Sequence, residues 1–227
     1  ASTVHKTMRT LRRMCNLAIR DGLMQQADYP FQHITLSRSR TQKQPLTDGE
    51  VEALEERRKA MDQGLVSYPR RDTTAAHALR AWLTQMYLLG MRWGDVCSLE
   101  WDNLRDGRVQ YQMLKTGTAK SVKLVPKARA IIEVYAARQG EKRWVFPFLD
   151  WRQEDLTTGE GIRQATQRVN AAVNQKLRVI AEKVGITSTL TTHIARHTAA
   201  NRMASAGWEL RKISAALGHQ SVSTTEQ

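Results

Sequence analysis

Residues 192–221 read "THIARHTAANRMASAGWELRKISAALGHQS". Two helices are legible in this stretch, the first ended by Gly207 and the second by Gly218. Glycine accepts the left-handed backbone that commonly closes a helix. On the first helix His193 and Arg196 are three residues apart and so share a face. A guanidinium offers two parallel donors to the non-bridging oxygens of a phosphate. An imidazole can donate to the same anion or move a proton near neutral pH. His197 is expected to point elsewhere, toward the protein body. His219 follows a helix-ending Leu-Gly and is expected to project from a loop. Beyond it, Ser223, Thr224 and Thr225 are candidate caps for a further helix.

Working outward, residues 3–22 carry Val4, Met8, Leu11, Cys15, Ala18 and Ile19 at steps of three and four, the spacing of one helix face. Residues 23–45 lose that period and read as a basic linker. Thr47 with Glu50 three residues on forms a capping box for a helix to about Met61. Thr73 or Thr74 starts the next helix, with Ala78, Leu79, Trp82, Met86 and Leu89 inward, and Gly90 ends it. Asp95 reads as the cap of a short helix running to about Trp101. Residues 108–125 switch to period two, with Val109, Tyr111 and Met113 alternating and then Val122 and Leu124. With "KTGTAK" between them they form a β-hairpin, joined by a strand near 101–104. Pro126 opens a helix to about Arg138. "KRWVFPFL" is a short extended or turn segment, and Ile162, Val169, Val173, Leu177, Ile180 and Val184 mark a long helix. The expected fold is mainly α with a small antiparallel β-sheet, α+β in class.

The chain has 227 residues, 35 Lys and Arg against 22 Asp and Glu, and a formal charge of +13. So large an excess favours a polyanionic partner, most often nucleic acid. Residues 1–44 hold eight of the basic residues against Asp21 and Asp28, close to half of the excess. Neither a membrane-spanning apolar stretch nor a signal-peptide core is present, so no membrane partner is expected. Cys15 and Cys97 lie far apart, are expected in the core, and fit a reducing, cytoplasmic setting. There is no metal-ligand cluster, GxGxxG or GxxxxGK[ST], so no metal and no cofactor are expected.

Two further positions stand out. Arg92 lies between Gly90 and the start of a new helix, where backbone on both sides can hold it toward a cleft. Asp95 can buttress it or cap the helix. Lys115 sits where the first hairpin strand meets its turn, within reach of a phosphate or leaving oxygen.

Taken in order, Arg92, Lys115, the His193–Arg196 pair and His219 resemble the tyrosine recombinases, the phage-integrase family. The resemblance covers roughly residues 46–227, and "ARHTAANRMASAGWELRKISAALGHQS" is its most specific stretch. It implies a catalytic domain over 46–227, a linker over 25–45, and over 1–24 the last helix of a truncated core-binding domain. It further implies a clamp around double-stranded DNA that assembles as a tetramer, in a bacterial or phage-encoded recombinase acting in integration or excision. Arg92 and Arg196 would hold the scissile phosphate, and Lys115 would protonate the leaving 5′ oxygen. His193 would be the general acid/base, and His219 would bond the phosphate. Asp95 stands where the family often has an acid supporting the first arginine, and His197 at a structural histidine followed by Thr198. The nucleophile would be a tyrosine one position after Gln227, forming a 3′-phosphotyrosyl link. The tyrosines at 29, 68, 87, 111 and 135 all precede the Gly-His motif. A type IB topoisomerase-like enzyme, a catalytically silent DNA-binding relative and a generic basic helical DNA binder are the other readings.

Overall fold

Helix α3, Thr73–Tyr87, is the centre of the larger part of the molecule. Ala78, Leu79, Ala81, Trp82 and Leu83 are fully buried along it, so it is apolar on more than one face. A helix hydrophobic most of the way round must be surrounded. It packs against α2 (Asp48–Asp62), α5 (Pro126–Glu133), α6 (Gly159–Lys183) and α7 (Thr192–Ser205). The structure, a computed structural model, describes residues 2–35, 44–65, 73–150 and 155–218. Contacts divide the chain into two units, residues 1–43 and 44–227.

In the first unit, α1 runs Ser2–Arg20. Arg12 Nε donates to the Tyr29 hydroxyl at 3.2 Å, which folds the following segment back along the helix. Val4, Leu11, Met14 and Leu17 are exposed. Cys15 is only partly buried rather than a core residue, whereas Cys97 is fully enclosed in the second unit.

The second unit starts with the expected capping box. Thr47 Oγ1 accepts from the Glu50 N–H, and Glu50 Oε2 accepts from the Thr47 N–H at 2.8 Å. After α3 comes α4, Trp93–Cys97. Its N-cap is Arg92, not Asp95, and the helix stops short of Trp101, which instead opens a 3-10 turn over Trp101–Asn103. Strands β1 (Leu104–Arg105), β2 (Arg108–Gln112) and β3 (Ala119–Lys123) form one antiparallel sheet in sequence order. The β2–β3 register sets Val109 against Val122 and Tyr111 against Lys120. Helix α5 ends at Glu133, with a separate 3-10 turn at Ala136–Arg138, so the single expected helix is interrupted. The segment around Trp144 is extended: Glu100 bridges to Trp144, and the Val145 N–H donates to Leu99 at 2.8 Å. Among the described residues no helix is long and apolar enough to cross a membrane.

Helix α6 buries Ile162, Val169, Val173, Leu177 and Ile180 on one stripe. Its polar side chains position its neighbours. Asn174 Oδ1 accepts from the Thr192 N–H and Asn170 Oδ1 from the Thr192 hydroxyl, both at 2.9 Å. These bonds fix the first turn of α7. One turn before Asn170 on α6, the Thr166 carbonyl accepts from Trp93 Nε1 at 2.9 Å and fixes α4. Helix α8, Leu210–Leu217, closes the described chain with Gly218 as a left-handed C-cap.

Away from these helix starts, a polar network lies beneath α3. His77 Nδ1 and the Tyr135 hydroxyl are 2.7 Å apart, and Arg80 reaches both that hydroxyl and Asp62. Burial, then the positive charges of Arg80 and Arg138, push the His77 pKa down to about 4. An unfolded histidine takes up its proton near pH 6.5, so the unfolded state binds the extra proton first. The stabilising effect of neutral His77 is complete above pH 6.5 and is lost as pH falls toward 4, by about 2–3 kcal/mol. Urea melts at pH 7.5 and pH 4.5 should show His77→Phe to be less acid-sensitive than the parent by that amount. Equal acid sensitivity would mean that His77 does not titrate in this window.

Candidate active site

The junction between α3 and α4 builds the first half of the site. Leu89 and Gly90 both have positive φ, 54° and 69°. This reverses the chain, and Arg92 then caps α4 in an extended conformation. Glycine is required at 90 for two reasons. Its φ suits a residue without a side chain, and a Cβ there would stand 2.9 Å from Leu217 Cδ2 and 3.2 Å from Arg196 Cγ.

The second half comes from α7 and α8. Arg196 is 8% exposed, and its guanidinium bridges two backbone carbonyls. Nη1 donates to Gly90 at 2.7 Å and Nη2 to Leu217. Arg92 Nη2 donates to the next carbonyl, Gly218, at 2.8 Å, and its Nη1 to the Met113 sulfur at 2.8 Å. The two arginines therefore meet on consecutive carbonyls at the C-terminus of α8. Among the described residues neither is paired with a carboxylate. Burial, then the charge of Arg92, lowers the Arg196 pKa to about 10, so Arg196 stays cationic at neutral pH.

Asp95 is 5% exposed and does not bond either arginine. Its Oδ1 accepts the Leu114 N–H at 2.8 Å, which ties the foot of the β2–β3 turn to α4. Its Oδ2 has no hydrogen-bond partner among the described residues. Burial raises its pKa, against the lowering effects of the Leu114 N–H and the charges of Arg92 and Arg196. The acid thus positions the hairpin and offers the arginines charge rather than a direct bond.

Lys115 stands exposed on the turn that Asp95 anchors. A lysine that the sequence does not single out, Lys120, joins the arginines at this helix end. It is half-buried, and its Nζ donates to Ala215 and Ala216 in the last turn of α8. The signal for it was the period-two alternation that puts Lys120 on the same strand face as Val122. His193 is exposed in the first turn of α7, one turn before Arg196. His197 does not turn away from it. The two rings meet edge to face with centroids 4.6 Å apart, as their i, i+4 spacing allows. Thr198 Oγ1 accepts the Leu46 N–H at 3.0 Å and fixes the chain entering α2. His219 and the run to Gln227 lie outside the described residues.

Two arginines thus share one helix end, with an exposed histidine one turn before the second of them and a lysine on the hairpin turn. Residues 60–227 match the Phage integrase family. The chain belongs to that family. Within it, the chain is 30% identical over 147 residues to the tyrosine recombinase XerC of Brucella suis, covering 63% of this chain and 43% of that one. It is 28% identical over 170 residues to the XerC of Thermodesulfovibrio yellowstonii, covering 71% and 53%. The chain thus spans about half the length of the curated relatives it matches. Among solved structures, the Tn1549 transposon integrase in complex with a circular intermediate DNA superposes with a TM-score of 0.67 at 14% identity, covering 99% of this chain and 74% of that one. A lambda integrase dimer bound to a COC′ core site gives 0.63 at 16%, covering 96% and 70%. At these identities the superpositions establish the phage-integrase fold for this family member.

Backbone conformation and packing both restrict position 90. Gly90→Ala should destabilise the protein by at least about 2 kcal/mol, combining left-handed strain with the Leu217 clash. Thermal melting measures the loss, and a variant as stable as the parent would mean that α8 yields at no cost.

Proposed function

We propose that this protein is a site-specific DNA recombinase or integrase that breaks and rejoins duplex DNA through a 3′-phosphotyrosyl intermediate. The observation that carries the reading is the convergence of Arg92 and Arg196, neither paired with a carboxylate among the described residues, where α4, α7 and α8 meet. Two guanidiniums aimed at one spot suit a phosphodiester, whose charge grows as phosphorus becomes five-coordinate. The relatives are recombinases, and several of the solved neighbours are bound to DNA.

In this reading Arg92 and Arg196 hold the non-bridging oxygens of the scissile phosphate. A tyrosine beyond Gln227 attacks phosphorus as His193 takes its hydroxyl proton. The bond to the 5′ oxygen breaks, and Lys115, on the turn anchored by Asp95, gives that oxygen a proton. His219 donates a hydrogen bond to the phosphate. The 3′-phosphotyrosyl bond retains the phosphodiester's energy, so a 5′ hydroxyl from another strand can reverse the step without ATP. The first unit, with its basic α1, would be the end of a DNA-binding domain and the second the catalytic domain. Pairs and tetramers on DNA, as in the lambda integrase structures, would bring the exchanging strands together. The setting is the cytoplasm of a bacterial cell.

The test uses a protein extended past Gln227 and a nicked duplex that traps covalent adduct. Arg196→Ala should lower adduct formation by at least about a thousandfold, the scale of losing a principal transition-state contact. Binding of the parent should weaken steeply with salt. Undiminished adduct, or a flat salt response, would overturn the reading.

A further inference from the structure

The hairpin brings Lys120 to the arginines, and the family motif gives it no task. Lys120 lies opposite Tyr111 in the β2–β3 ladder. Its ammonium donates to Ala215 and Ala216, while Arg196 and Arg92 take the next two carbonyls, Leu217 and Gly218. Its Cε comes within 3.2 Å of the point where a Cβ on Gly218 would stand. Three cations from three elements therefore converge on four consecutive carbonyls.

That is more positive charge than a helix end needs. A helix C-terminus presents about half a negative charge, and Asp95 is the acid whose field the arginines feel. The remaining excess exceeds one full charge. The crowding is felt at the ammonium, whose pKa is lowered by burial and then by Arg196 and Arg92. A lysine serving only as a helix cap has no reason to lie beside two guanidiniums that repel it. An anion placed among the three would convert that repulsion into attraction.

We propose that Lys120 is a third cationic ligand of the phosphodiester held by Arg92 and Arg196, and that the phosphate competes with the last turn of α8 for the same donors. The proposal rests on the reading of those two arginines as phosphate ligands. It divides the hairpin's lysines between two tasks. Lys120, on the inward face of β3, binds; Lys115, exposed on the turn, reaches for the leaving oxygen.

The experiment is fluorescence-anisotropy titration of a short DNA duplex over a range of salt concentrations, paired with thermal melting. Lys120→Gln keeps an N–H donor for the α8 carbonyls and removes the charge. It should weaken binding about tenfold at low salt and flatten the dependence of log K on log salt by up to about 0.9, with the melting temperature unchanged. Lys120→Arg should restore both. A lower melting temperature with unchanged affinity and slope would make Lys120 a helix cap and overturn the proposal. Arg92→Ala and Arg196→Ala run alongside. If they weaken and flatten binding while Lys120→Gln does not, only the Lys120 assignment falls. If none of the three changes binding, the phosphate-site reading falls with it. Should Lys120→Gln fail to fold, acetylation of the parent chain mapped by mass spectrometry decides. Saturating duplex should slow Lys120 modification several-fold, and unchanged labelling would overturn the proposal.

Discussion

A buried guanidinium whose partners among the described residues are backbone carbonyls holds the second unit's site together. Taking Arg196 out of water is costly, and two charge-assisted hydrogen bonds offset that cost. Its partners, Gly90 and Leu217, belong to segments distant in the chain, so satisfying one side chain joins the α3–α4 turn to the end of α8. Arg92 is then delivered two residues after one partner and bonds the residue after the other. The site is less a set of side chains on a scaffold than the place where the scaffold's own ends are tied.

Helix α6 supplies the ruler for that knot. Its Thr166 carbonyl takes the indole N–H of Trp93, and its Asn170 and Asn174 take the hydroxyl and N–H of Thr192. The residue after Arg92 and the residue before His193 are thus fixed to one rod, within about two turns of each other. A long helix with a continuous buried stripe is rigid, and rigidity is what a phosphate-positioning site requires of its support.

Much of this was legible in the residues. Thr47 with Glu50, Pro126 at a helix start, Gly218 at a helix end and the alternation around Val109 and Val122 all act locally, so local pattern revealed them. The convergence of Arg92 with Arg196 was legible only through the family's ordered motif, because no periodicity connects positions so far apart. Asp95 shows where local reasoning stops. Near a helix start, a carboxylate can cap its own helix, pair with the nearby arginine or reach another strand, and only the approach of Leu114 decides. Lys120 was obscured by neighbours, since Lys115 and Lys123 flank it and the strand's inward face singles it out only once the register is known. Cys15 fell outside the core because α1 presents apolar residues that its own unit does not enclose.

The cap of α8 also has a history to constrain. Gly218 has φ 65°, and a Cβ on it would stand 2.7 Å from the sulfur of Met113, the same sulfur that accepts from Arg92. Positions 113 and 218 are therefore one packing choice written in two places. Enlarging residue 218 requires residue 113 to shorten or move aside, and either change disturbs an acceptor of Arg92. Relatives that differ here should have changed both positions together and found Arg92 a new partner.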